Sequence, residues 1–196
     1  MNKFDYTIVK DPKIFEQGRL CAHSDHEWYR SMESAQAGGL SDCKYPLNGI
    51  WWFNYAVNYD AAVKDFYEKD YDCRKWSRIR VPAHIQTEGY GCPQYANTEY
   101  PWDGFEEVEP GQIPQYFNPV ASYVRYFTLP KDFGKGPVYI SFQGAESGIA
   151  VWLNGNYVGY SEDSFTPADF DLTPFIDREG ENKLAVMVFR FTAGSW

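Results

Sequence analysis

In "LNGIWWFNYAV", Ile50, Trp52, Asn54 and Ala56 alternate with Trp51, Phe53, Tyr55 and Val57. Successive side chains of a strand point to opposite faces, so this period predicts a strand beginning near Leu47, with the mostly aromatic second set as its buried face. Apolar runs of the same kind recur in "KWSRIRVP", "SYVRYFTLP" and "PVYISFQG", each closed by a proline or glycine that interrupts a ladder. In "GIAVWLNGNYVGYS" two such runs flank Asn154-Gly155. Both central residues of a type I′ turn need positive φ, and this pair supplies it at little cost, so a hairpin is expected there. "KLAVMVFRF" is apolar on both alternating faces, the pattern of a central strand covered on both sides.

Helical periodicity is scarce. "DAAVKDFYEK" spaces Val63, Phe66 and Tyr67 at i, i+3 and i+4, which predicts one or two helical turns capped by Asp60. "DLTPFIDREGENK" places Thr173 to cap, and Pro174 to begin, a second short turn. Residues 1–46 have no sustained period and read as an irregular N-terminal arm lying on a body without building its core. About eight short strands with long connections make residues 47–196 an all-β, jelly-roll β-sandwich with one or two short helices. The longest connection, 82–119, contains six prolines. A stretch of that length without periodic structure is either disordered or functional, and its tyrosines and tryptophan argue against disorder.

Composition narrows the partners. With 27 acidic against 18 basic residues the net charge is −9, which repels polyanions and makes nucleic acid and anionic membrane surfaces poor partners. Neither a leader pattern nor an apolar run long enough to span a bilayer is visible, and a soluble, cytoplasmic protein is expected. The four cysteines, Cys21, Cys43, Cys73 and Cys92, form no C-x-x-C pair and read as reduced thiols. Tyr, Phe and Trp make up 19% of the chain. Part of that builds a β core, but an excess of Tyr and Trp also suits surfaces that hold sugars, whose C–H faces pack on rings.

Few groupings carry chemistry. His23 and His26 with Asp25 between them are too few for a structural zinc site, and no metal is expected; they read as polar anchors of the arm. His84 has no Ser or Cys in a nucleophile-elbow setting. Glu162-Asp163, Glu106-Glu107 and Glu146 have the residue type for paired-carboxylate glycoside hydrolysis, yet in so acidic a chain they read as loop charge. No glycine-rich phosphate cradle is present. There remains "GYGCPQYANTEYPW", where Asn97 offers donors and an acceptor to vicinal hydroxyls and Tyr90, Tyr95, Tyr100 and Trp102 offer rings. The residues alone leave two readings open: a sugar-holding loop, or a loop pinned to the sandwich by its own aromatics.

Five segments taken together, "LNGIWWFNYA", "VPAHIQTEGYGCPQYANTEYPWDG", "NPVASYVRYFTLP", "ISFQGAESGIAVWLNGNYVGYSEDSFTPADFDLTPFI" and "GENKLAVMVFRF", resemble the N-terminal sugar-binding domain of family 2 glycoside hydrolases of the β-galactosidase kind. "RLCAHSDHEWY" extends the resemblance into the arm, toward the lactic-acid-bacterium type. The resemblance implies a galactose-binding-domain-like jelly roll leading a longer chain with immunoglobulin-like domains and a TIM barrel. That longer enzyme would hydrolyse terminal β-D-galactose residues, as in lactose, by a retaining mechanism. Its two catalytic glutamates would lie in the barrel, so no catalytic residue is expected in this chain. The domain would supply one wall of the galactose pocket, with Asn97 binding galactosyl hydroxyls and Tyr95 and Trp102 as aromatic neighbours. The resemblance further implies magnesium and sodium in the longer, oligomeric enzyme and no cofactor held here; the family's sodium-ligating aspartate follows the equivalent of "FTAGSW", past the chain's end at Trp196. Two departures, Ala193 in place of a frequent aspartate and His84-Ile85 in place of Asn-Trp, leave the Asn97 match untouched. A free-standing carbohydrate-binding module without catalysis is the alternative.

Overall fold

The computed structural model describes residues 3–24, 26–95 and 97–195, so Asp25 of the histidine cluster and the terminal Trp196 lie outside the described residues. The strands are β1 (Glu16–Gln17), β2 (Gly49–Ala56), β3 (Ser77–Val81), β4 (Val120–Phe127), β5 (Tyr139–Phe142), β6 (Gly148–Leu153), β7 (Asn156–Ser161), β8 (Ala168–Asp171) and β9 (Asn182–Phe189). Seven of them form one antiparallel sheet in the order β1-β7-β6-β9-β4-β2-β3, and β5 pairs with β8 in a second. The result is a jelly-roll β-sandwich whose large sheet is covered on both faces.

The two-faced pattern of β9 explains the layering. It lies between β6 and β4, sending Ala185, Met187 and Phe189 into one apolar cluster and Leu184 and Val186 into the other. On the second face the two-stranded sheet closes the core with Ile140, Ala168 and Phe170. On the first, the cover is a 3-10 segment of the arm, Tyr6–Lys10, which buries Ile8 and Val9, and then Ala62, Phe66 and Cys73 from the β2–β3 connection. The register sets a row across the sheet, Tyr160, Ala150, Met187 and Ser122. One residue along, Ile149 sits opposite Val188, on the other face. In β2, Trp51 and Phe53 are buried while Ile50 is exposed, as the alternation predicts, but the pattern fails at the strand's end: Ala56 is buried on the opposite face, in the first cluster, and Val57, past the strand, is exposed.

The Asn154-Gly155 turn joins β6 to β7 with φ of 52° and 83°, the left-handed pair a type I′ turn requires. Asn154 does more than turn the chain. Its Nδ2 donates to the Phe175 carbonyl at 2.9 Å and to Asn182 Oδ1 at 2.8 Å, and its Oδ1 accepts from the Lys183 amide at 2.9 Å.

Four further sequence expectations are corrected. The 60–69 segment is not helical: it runs in turns, opened by Asn58, whose Oδ1 accepts from the Ala61 amide at 2.9 Å, rather than by Asp60. Phe66 is fully buried, 5.6 Å from Trp76 and 6.0 Å from Trp152 between ring centroids, and this packing overrides a marginal helix period. Thr173 does not cap a helix; its Oγ1 accepts from the Val138 amide at 2.9 Å and ties the turn after β8 to the start of β5. The longest helical segment, α1 (Met32–Ala37), instead lies in the arm, where Ser31 and Ser34 form a capping box. Finally, the arm does build core, since Val9 is fully buried and Phe4 packs edge-on to Trp152 at 5.3 Å.

Candidate functional site

The 82–119 connection, running from β3 to β4, is fastened at several points. A 3-10 turn, Ile85–Glu88, ends at Gly89 in the left-handed region, and Tyr90 then packs edge-on to Phe53 at 4.5 Å and leans on Tyr55 at 6.0 Å. Burial raises the Tyr55 phenol, with the Arg190 charge opposing. Farther along, Trp102 is 8% exposed and meets Phe191, just past β9, edge-on at 5.3 Å. Tyr100 stacks flat on Trp102 at 5.1 Å. Phe105 stacks on Phe117 at 4.0 Å, and the Glu106 carboxylate accepts from the backbone amides of Gln115, Tyr116 and Phe117 at 2.8–3.1 Å.

Asn97 lies between these anchors, exposed. Tyr95 is 88% exposed, so its ring is presented to solvent. Of the three residues singled out, Asn97 and Tyr95 are therefore on the surface, while Trp102 is turned into the sandwich as the loop's apolar foot. Tyr90, Trp102, Phe105 and Phe117 pin the loop to the sandwich, as the second reading expects, and between them Asn97 and Tyr95 are exposed. An exposed amide beside a phenol can offer donors and an acceptor to sugar hydroxyls and an apolar surface to the sugar face, but it encloses nothing.

The support of this loop was not visible in the sequence. At its near end Gln94 Oε1 accepts from Arg190 Nη2 at 2.7 Å, and Gln94 Nε2 donates to the Pro101 carbonyl. At its far end the fully buried Asn118 donates through Nδ2 to the Phe191 carbonyl and accepts from the Phe191 amide, both at 2.9 Å. The one available signal was "FRF", a charged residue between two aromatics at the end of a buried strand.

The other candidates are occupied with structure. Glu162 accepts from the Tyr160 hydroxyl at 2.7 Å and the Gly194 amide at 3.1 Å, and Asp163 Oδ1 accepts from the Phe165 and Thr166 amides. Glu146 and His84 are exposed. His23 Nε2 meets Asp169 Oδ2 at 2.7 Å, fastening the arm to β8, with the His26 ring 4.9 Å away. Among the described residues, no group of three or more His, Cys, Asp or Glu side chains is placed to hold a metal ion. A separate concavity of about 130 Å³ lies at the hairpin end, lined by Tyr71, Arg74, Tyr126, Asn154, Glu181 and Lys183 among others. Several of its charges are engaged by the protein itself: Lys183 Nζ donates to the Glu68 and Tyr71 carbonyls, and Arg74 pairs with Glu181 and lies over the Tyr126 ring.

Residues 45–196, which include the whole Asn97 loop, match the family described as glycosyl hydrolases family 2, sugar binding domain. The chain is 51% identical over 188 residues to a β-galactosidase of Halalkalibacterium halodurans, an alignment covering 96% of this chain and 18% of the relative. It is 47% identical over 190 residues to a β-galactosidase of Streptococcus thermophilus, covering 97% and 18%. The chain thus spans under a fifth of the length of these two curated relatives. In fold it is similar to a Bifidobacterium dentium β-glucuronidase complexed with coumarin-3-O-glucuronide, with a TM-score of 0.52 and 23% identity over 74% of this chain and 20% of that one. From the first core strand through the aromatic-footed loop to the end of β9, sequence and sandwich agree: this chain belongs to the sugar-binding domain family of the family 2 glycosyl hydrolases.

Proposed function

We propose that this chain serves as the sugar-binding domain of a longer, cytoplasmic β-galactosidase, supplying one wall of a galactose pocket whose catalytic glutamates lie outside it. The observation that carries this reading is 51% identity over nearly the whole chain to a β-galactosidase of which it covers only 18%. Asn97 contributes hydrogen bonds to galactosyl hydroxyls, and Tyr95 flanks the sugar. Trp102 acts from behind, as the support of that wall. Magnesium and sodium used by the longer enzyme are held outside this chain. Among the described residues no helix is long and apolar enough to cross a membrane.

The test uses a chimaera in which this chain replaces the aligned region of the Halalkalibacterium halodurans enzyme. The 196-residue chain alone should not turn over a chromogenic β-galactoside. The chimaera should, and Asn97→Ala should raise its KM about tenfold, the loss of one or two amide–hydroxyl bonds at about 1 kcal/mol each. Turnover by the isolated chain, unaffected by Asn97→Ala, would overturn the reading. The exposure of Tyr95 favours one other arrangement, a free-standing carbohydrate-binding module. Calorimetry of the isolated chain with galactose and lactose separates the two. A wall without its barrel should give no detectable heat, because so few contacts do not offset the entropy of association.

A further inference from the structure

Asn97 can select a sugar only if it is held still before the sugar arrives, since an exposed amide on a loose loop loses in ordering much of what it gains in contact. Its loop has no ladder of its own to hold it, and the fixings on either side of Asn97, at Gln94 and Trp102, converge on two consecutive residues past the end of β9. Trp102 rests on Phe191 at 5.3 Å. Gln94 is held by Arg190, whose Nη2 donates to Gln94 Oε1 at 2.7 Å and whose guanidinium lies 5.2 Å from the Phe191 ring and 5.7 Å from the Phe117 ring. Arg190 is itself fixed through its backbone: its amide donates to the Pro119 carbonyl at 3.1 Å, and its carbonyl accepts from Ser147 Oγ at 2.8 Å.

The chemistry of the Gln94 amide makes this contact directional. A guanidinium only donates, so it turns the amide oxygen toward itself. The amide nitrogen is then turned away, and it is this nitrogen that donates to the Pro101 carbonyl, tying together the two ends of the segment that carries Asn97. The Pro101 carbonyl only accepts and so selects the same orientation: the Gln94 amide is held from both ends, and without the arginine it is held from one alone. The bond between Arg190 and Gln94 thus anchors the Gln94–Pro101 bridge, and the segment it closes, to the end of β9.

We propose that Arg190 is a positioning residue for Asn97: by anchoring the Gln94 amide it fixes the loop that presents Asn97, and the galactosyl site depends on it without contact between Arg190 and the sugar. The inference rests on the sugar-binding role of Asn97, and two separate measurements keep the two claims distinguishable. In the 196-residue chain, NMR reads the order of the Asn97 backbone and side-chain amides. Arg190→Met, which frees the Gln94 amide oxygen, and Gln94→Glu, which keeps a partner for Arg190 but loses the donor to Pro101, should both move Asn97 and Thr98 toward disordered-chain shifts and fast mobility. The Asn154 side-chain amide at the hairpin, remote in sequence and fold, should stay put and report that the sandwich is intact. Arg190→Lys, a cation that still only donates, should restore much of the order. An Asn97 as ordered in Arg190→Met as in the native chain would overturn the proposal.

In the chimaera, Arg190→Met and Gln94→Glu should each raise KM for a chromogenic β-galactoside about tenfold, with a smaller change in kcat, and Arg190→Met added to Asn97→Ala should cost little more. Unchanged KM in Arg190→Met, or full additivity with Asn97→Ala, would overturn the positioning role. If Asn97→Ala itself leaves KM unchanged, the sugar-binding reading falls, while the NMR result decides on its own whether Arg190 orders the loop.

Discussion

Glu162 sits just past the end of β7, where its two carboxylate oxygens take separate donors, the Tyr160 hydroxyl and the Gly194 amide. Burial is the largest influence on it and pushes its pKa up, against the pull of those hydrogen bonds. The folded protein therefore keeps this proton to a higher pH than the unfolded chain does. Its contribution to stability is full below the ordinary carboxylate value and is lost as pH rises through the raised one. A glutamine at the site has no such loss, and its amide can still engage both neighbours, because a phenol oxygen accepts as readily as it donates. Glu162→Gln should thus gain on the native protein with pH: the difference in Tm, variant minus native, should be more positive at about pH 7 than at about pH 4. A difference that is the same at both would show that the carboxylate titrates alike in the folded and unfolded chains. Lys183, buried in β9, is the opposite case of a charge taken up by carbonyls: those of Glu68 and Tyr71 receive its ammonium at 2.6 and 2.5 Å, and burial lowers its pKa.

Between elements, the closest approach is at Gly159 in β7, where a Cβ would stand 2.4 Å from the Gln17 carbonyl oxygen and 2.7 Å from the Phe170 ring. The first is backbone of β1, the short strand that holds the arm to the large sheet, and the second is core beneath β8. Gly159→Ala should cost about 1–3 kcal/mol in urea denaturation, with amide exchange accelerated first at residues 16–20, where β1 must lift. Equal protection of those amides would place the strain elsewhere. The same elements mark where the sequence was readable. β2, β4, β9 and the β6–β7 hairpin announce themselves because each carries its own period or turn residues over six or eight positions. β1 and β8 are two and four residues long and owe their conformation to partners, β7 and β5, that no local pattern reveals. The 60–69 segment was misread for the mirror-image reason: a local helical period gave way to the burial of Phe66. In the candidate site, Asn97 could be singled out as a candidate from the amide-and-aromatic pattern around it. The Arg190, Gln94 and Asn118 supports could not, because they are separated from it in sequence and joined only by the fold.

For the whole molecule, the family match begins at residue 45, yet one face of the large sheet is closed from well before that. Phe4 stacks on Phe189 at 5.8 Å, Tyr6 stacks on Tyr59 at 3.8 Å, and Ile8 and Val9 are buried. The Val9 carbonyl then accepts from the Ala193 amide, the Phe15 carbonyl from the Glu162 amide, and the Leu20 amide donates to the Asp169 carbonyl. Residues 4–20 thus run as a strap from the first apolar cluster to the edge of the two-stranded sheet. Residues 27–44 differ sharply, for α1 buries none of its side chains, and Trp28, Met32 and Leu40 are exposed. Fully burying one large apolar side chain contributes about 1.5–3 kcal/mol, so Ile8 and Val9 together contribute roughly 3–6 kcal/mol; the half-buried Phe4 and Tyr6 add to this, and the strap's share is comparable with the whole stability of a domain. A chain beginning at Cys21 should accordingly lose cooperative thermal unfolding, bind a hydrophobic dye and give poorly dispersed amide resonances. Replacing 27–44 with a short glycine–serine linker should leave Tm within a few degrees of the native value, because no buried apolar side chain of α1 is lost. A cooperative transition in the chain lacking residues 1–20, or a collapse on replacing 27–44, would mean that the strap and the exposed segment have exchanged the roles their burial assigns them.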